Sequence, residues 1–122
     1  MKEFLLVAIG GMVGASLRYL ISLNLAQAVN TGFPVATLLI NLSGCLLIGL
    51  LYGNFSGTTQ FGWIQPLLMI GLLGGFTTFS SFSLESINLL KSGAIGNLFV
   101  YLLASNLGGL SLAWLGIQWA AK

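Results

Sequence analysis

Long apolar stretches, set off by brief polar interruptions, dominate the chain. Four of them are long enough for the roughly 20 helical residues that cross a hydrocarbon core. They predict spans from about Phe4 to Ala28, Pro34 to Tyr52, Gly62 to Leu90 and Ala94 to Ala120. Gln27 to Gly32 reads as the first turn, with Pro34 where a starting helix tolerates proline. Gly53-Asn54-Phe55-Ser56-Gly57-Thr58-Thr59-Gln60 reads as the second turn and Lys91-Ser92-Gly93 as the third. These connections are too short for a soluble domain, and no internal repeat is visible. The expectation is one all-α, four-helix membrane domain over residues 1–122.

The third stretch breaks its own pattern. Gly71-Leu72-Leu73-Gly74-Gly75-Phe76-Thr77-Thr78-Phe79-Ser80-Ser81-Phe82-Ser83 puts a glycine pair, then Thr-Thr and then Ser-Ser, between apolar flanks. Such residues continue a helix poorly. Bare backbone at membrane depth is tolerated only where protein buries it or a wet cavity borders it. The stretch therefore predicts a transmembrane helix broken near residues 74–78, beside an ion or solute path. Phe79 and Phe82, three apart, share a face of the helix that resumes.

Composition agrees with this class and excludes others. The 122 residues are 57% hydrophobic and 5% charged, with a mean hydropathy of +1.00, whereas soluble domains carry about 25% charged residues. The first span, with Gly10, Gly11 and Gly14 inside it and Arg18-Tyr19 after them, reads as retained rather than cleaved. A net charge of +2 is too sparse for nucleic acid. No histidine, one cysteine and two glutamates exclude an ordinary zinc site within one chain. Cys45 reads as a small buried apolar residue.

The charges carry topological information. An even number of spans puts Lys2 and Lys122 on one side, while Lys91 and Arg18 fall to the other. That balance leaves almost no positive-inside bias. A chain inserting both ways can form an antiparallel, dual-topology homodimer with its two-fold axis in the membrane plane. Four short spans leave little room for a pore, which also favours a dimer. Gly10 and Gly14, Gly49 and Gly53, and Gly71 and Gly75 are each four apart, a spacing that brings helices close in lipid or joins two chains.

Polar residues inside the spans point to an anion or a neutral solute. Arg18 is the one charge well inside a span, either at an anion vestibule or snorkelling to the interface. Asn41 lies deep in the second span, where its amide must find a helix partner or an anion. Asn97, Tyr101 and Ser105 make one stripe, and Ser81, Glu85 and Asn88 another. The positive edges of the Phe79 and Phe82 rings can also meet an anion.

These motifs resemble the Fluc (CrcB) fluoride channels over essentially the whole chain. Gly10-Gly11-Met12-Val13-Gly14-Ala15-Ser16-Leu17-Arg18-Tyr19 resembles that family's GGxxGAxxRY, and Gly74 to Phe82 resembles GG(F/L)TTFSTF, with Ser81 where threonine is common. Thr37, Asn41, Gly44 and Gly49 fit its second helix, and Tyr101 with Ser105 its fourth. The resemblance implies antiparallel dual-topology dimers with two pores. It implies passive export of fluoride from bacteria, across the plasma (inner) membrane, after entry as HF. By motif position it implies fluoride near Asn41, Phe79, Phe82, Tyr101 and Ser105, with a vestibule at Arg18 and a polar track at Ser80, Ser81 and Glu85. It also implies a structural sodium ion at the dimer axis, held by backbone carbonyls of Gly74 and Thr77, since oxygen dipoles freed by a helix break suit a hard cation.

Two rival classes fit less well. A small four-helix drug or cation transporter of dual topology needs a carboxylate deep in its first span, where this chain has Arg18. A membrane scaffold would use the glycines but not Gly74 to Phe82. An enzyme fits less well still, because no nucleophile–base pair or metal set can be assembled.

Overall fold

The structure, a computed structural model, describes residues 1–28 and 31–120. Lys122, used above to weigh topology, lies outside the described residues. Helix α1 covers Lys2–Ala28 and α2 covers Val35–Phe55. Helix α3, residues 61–76, is α-helical over Phe61–Ile64, π-helical over Gln65–Leu73 and α-helical again over Gly74–Phe76. Helix α4 (Phe79–Lys91) resumes after the break, and α5 covers Ile95–Ala120. Among the described residues four helical stretches are long and apolar enough to cross a membrane, the third being the broken α3–α4 run, Phe61–Lys91.

Two expected turns begin later in the chain. Helix α1 takes in Gln27, and α2 continues through Gly53, Asn54 and Phe55. Asn54 returns its amide to the Leu50 carbonyl (2.9 Å) instead of leaving the helix. Gly53 keeps helical geometry because it faces Ile117 and Ala120 of α5, with no room there for a side chain. The Lys91-Ser92-Gly93 turn lies where expected: Gly93 takes a φ of +75°, and Ala94 N reaches Leu89 O (3.0 Å) while Gly93 N reaches Leu90 O (3.1 Å). This wrapped pattern satisfies the last carbonyls of α4.

The helices pack as two pairs, α1 with α3 and α2 with α5. All three glycine pairs serve contacts within the chain. A Cβ on Gly10 would collide with the Leu67 carbonyl, and one on Gly14 with the Leu72 carbonyl. From the other side, Gly71 faces Val7 O (2.8 Å from its would-be Cβ) and Gly75 faces Gly11 O (2.6 Å). Gly49 meets Ala113 of α5 in the same way, and Gly116 meets Leu46 of α2. Close backbone approach replaces hydrophobic burial, which drives little between helices in lipid.

The two pairs join where Ile40 of α2 packs with Leu73 and Phe76 of α3. That core is small, and large apolar side chains such as Phe99, Leu107 and Trp114 remain exposed around the bundle, as lipid-facing residues do. The π-helical stretch went unforeseen. In a uniformly apolar run such as Gln65–Leu73 a wider helix leaves no periodic signature in the sequence.

The α1–α3 seam yields a stability prediction. Gly14→Ala is expected to cost about 1–3 kcal/mol through overpacking and to lower the thermal midpoint in detergent. Gly62→Ala, whose Cβ would meet nothing within 4 Å, is expected to leave the midpoint unchanged. Equal midpoints for the two variants would contradict the close approach.

Candidate functional site

The break between α3 and α4 is two extended residues, Thr77 (φ −81°, ψ 159°) and Thr78 (φ −149°, ψ 114°). Asn41 of α2 holds it from the side. Thr78 N donates to Asn41 Oδ1 (2.8 Å), and Asn41 Nδ2 donates to Thr78 O (3.0 Å). One amide thus satisfies both backbone polar groups of a residue that has left its helix. Gly44, one turn along, provides the space: a Cβ there would collide with Thr77 Cγ2.

Thr78 also starts the next helix. Its hydroxyl accepts from Ser81 N (3.2 Å), donates to Ser81 Oγ (3.1 Å) and pairs with Ser80 Oγ (3.3 Å). This is a threonine N-cap. The two diversions have a consequence for the carbonyls. In a continuous helix Thr78 N would serve Gly74 O, and Ser81 N would serve Thr77 O. Here the first goes to Asn41 and the second to the Thr78 hydroxyl, so neither carbonyl keeps its helical donor. Gly75 O is met instead by Arg18 Nε (3.1 Å). The half-buried Arg18 ties α1 to the break, and its guanidinium turns inward rather than extending away from the bundle.

A cavity of about 320 Å³ opens beside the break. Asn41, Thr77, Thr78, Phe79, Phe82 and Ser105 contribute to its wall. Phe79 is 77% exposed at its rim, tilted 42° against Phe82 at 5.6 Å between ring centres. The buried Ser105 Oγ has no hydrogen-bond partner among the described residues. Its hydroxyl is a free donor in a wall otherwise rich in apolar groups. Cys45 also reaches this cavity and is half-buried, not sealed in the core as its composition suggested.

A second cavity, about 360 Å³, lies further along α4 between Phe33, Pro34, Glu85, Asn88 and Ser92. Tyr101 of α5, 0% exposed, separates the two. Its ring meets Phe82 of the first cavity at 5.1 Å and Phe33 of the second at 5.6 Å. Its hydroxyl donates to Glu85 Oε2 (2.7 Å), while Thr37 Oγ1 of α2 donates to Oε1 (2.7 Å). Two charge-assisted hydrogen bonds therefore hold the carboxylate between three helices.

The structure thus gathers most of the residues singled out above along one line of α4 and its neighbours: Asn41, Phe79, Phe82, Ser105, then Tyr101 and Glu85. Gly74 and Thr77 line the same cavity from the break. Ser80 and Ser81 sit at the α4 cap. Asn97, the first member of the expected stripe on α5, is exposed and stands apart. Two contributors had no role assigned from sequence. Thr37 carried a motif match but no hint of its carboxylate partner 48 positions away. Thr78 was read only as part of the break, although a threonine before Phe-Ser-Ser is an ordinary capping signal.

Four long apolar helices, with a clamped break walling a donor-bearing cavity, define a multi-pass membrane protein of the small helical channel class. The family described as CrcB-like protein, Camphor Resistance (CrcB), matches residues 5–117. The chain is 48% identical over 118 residues to "Fluoride-specific ion channel FluC 2" of Bacillus cereus, covering 97% of each chain. It is 44% identical to "Fluoride-specific ion channel FluC" of Phocaeicola vulgatus (96% of this chain, 97% of the relative). A third relative, "Fluoride-specific ion channel FluC" of Methylobacillus flagellatus, is 42% identical over 97% of this chain and 94% of its own. The chain belongs to the CrcB family.

Proposed function

We infer that this protein is a fluoride-specific channel that lets the ion leave passively across the bacterial plasma membrane. The observation that carries the reading beyond the relatives' names is the cavity beside the break. Fluoride is a small, strongly hydrated anion, so a path must replace its water with several donors, none strong enough to trap it. The unpartnered Ser105 hydroxyl and the second N–H of Asn41 are such donors. The ring edges of Phe79 and Phe82 add weak positive potential. Tyr101 and Glu85 lie beyond them on the line to the second cavity, and Ser80, Ser81 and Arg18 border the break. No proton transfer or covalent step is required. A drug or cation transporter is disfavoured, since the first span offers Arg18 rather than a carboxylate.

The assembly in this reading is an antiparallel homodimer. Its support is the open side of the cavity, where Phe79 lies exposed beside polar groups, together with the balanced cations. The residues present fit a sodium ion at the dimer axis, because the Gly74 and Thr77 carbonyls have lost their helical donors. When bound, sodium would supply positive charge between the paired breaks. Topology reporters are expected to find each terminus on both membrane faces; a single orientation would exclude the antiparallel dimer. Replacing sodium by a bulky organic cation is expected to lower the thermal midpoint of the assembled protein, and an unchanged midpoint would remove the ion from this account.

The direct test of function is ion efflux from liposomes. The parent is expected to release fluoride and retain chloride. Phe79→Ile and Phe82→Ile keep the apolar bulk and remove the ring quadrupole; packing alone would cost about 1 kcal/mol. Fluoride efflux per assembled protein is expected to fall well beyond that loss of folded material. Parent-rate efflux in both variants would exclude the rings from the mechanism, and chloride release equal to fluoride release by the parent would exclude the fluoride reading.

A further inference from the structure

We propose that Asn106, which lines the cavity beside Ser105, is a further donor to the passing anion. This rests on the reading of the first cavity as the fluoride path. Asn106 stands near the middle of α5, at a depth where water is absent from the bilayer. It is exposed in the single chain. Its neighbours on that side, Leu103, Leu107 and Leu110, are exposed too and wholly apolar. An amide among them is costly against lipid tails, so at such depth it needs a partner on another helix or a polar path.

Its hydrogen bonds show what it has to offer. Asn106 Nδ2 donates to Leu102 O (2.7 Å), one turn back. This bond uses one of the two N–H donors of the amide. It also fixes the side chain against its own helix. The second N–H and Oδ1 have no partner among the described residues. Asn24 and Asn54 make the same return bond, to Leu20 and Leu50, but both lie toward a helix end, where headgroups and water can complete their bonding. Asn106 has no such recourse at mid-helix.

The cavity supplies one. Asn106 lines it together with Ser105, Asn41 and Phe79. The adjacent Ser105 hydroxyl is buried and unpartnered. Two neighbouring α5 residues thus bring unused donors to the cavity that the amide of Asn41 also lines. A small anion held between them exchanges water for oriented N–H and O–H groups, and each contact remains single and weak enough to release it. Asn106 acts in this way as a specificity-determining residue. A larger halide, less strongly hydrated, gains less from the extra donor.

The test compares Asn106→Ala with Asn106→Ser in liposomes, reading fluoride and chloride efflux per assembled protein. The two side chains are similarly small and differ in one hydroxyl donor. The alanine variant is expected to lose about tenfold or more of the fluoride rate, the scale of one hydrogen bond to a charged group. The serine variant is expected to retain most of it, and the fluoride-to-chloride ratio is expected to fall in alanine alone. Equal fluoride rates for the two variants, at or below the parent rate, overturn the proposal, as does a faster alanine variant. If the parent itself fails to release fluoride in the same assay, the reading of the cavity fails, and this inference with it.

Discussion

Everything around the break follows from the paired hydrogen bonds between the Asn41 amide and the backbone N–H and C=O of Thr78. A helix interrupted in a membrane leaves polar backbone that lipid cannot satisfy. Asn41 meets that demand with one side chain, and so makes two extended residues tolerable between α3 and α4. Because Thr78 N is taken, Gly74 O is left open. Because the Thr78 hydroxyl caps α4, Thr77 O is left open as well. The interhelical clamp and the local cap together strip both carbonyls of their helical donors and start the helix that carries Phe79, Phe82 and Glu85.

The glycines make this arrangement possible. Gly10, Gly14, Gly71 and Gly75 bring α1 against α3 at backbone distance, which places Arg18 within reach of Gly75 O. Gly44 admits the Thr77 side chain. On the other pair, Gly49, Gly53 and Gly116 hold α5 against α2, so Thr37 and Tyr101 converge on the same carboxylate. The chain buries few large side chains because its stability in lipid comes from such close approach, and from hydrogen bonds across helices.

Much of this was legible in the sequence, for physical reasons. Apolar runs near 20 residues long leave no alternative to spans, and a Gly-Gly-x-Thr-Thr interruption at membrane depth can only be a shielded break. The depth of Asn41 alone required a partner, though not that the partner would be the break itself. The π-helical turn over Gln65–Leu73 was not legible, since an all-apolar run hides its helical period. Nor was the Thr37–Glu85–Tyr101 cluster, which depends on three helices meeting in space. Spacing on one helix also overreached: Asn97 shares a repeat with Tyr101 and Ser105, yet lies exposed and lines neither cavity.

The side chain of Asn41 keeps the break in the form through which the ion passes, and Asn41→Leu isolates its part, because leucine nearly matches asparagine in shape and can hold neither the N–H nor the C=O of Thr78. The measurement is fluoride efflux per assembled protein in liposomes. Efflux is expected to fall about tenfold or more in protein that still inserts and assembles, whereas efflux at the parent rate would separate Asn41 from the conducting form of the break.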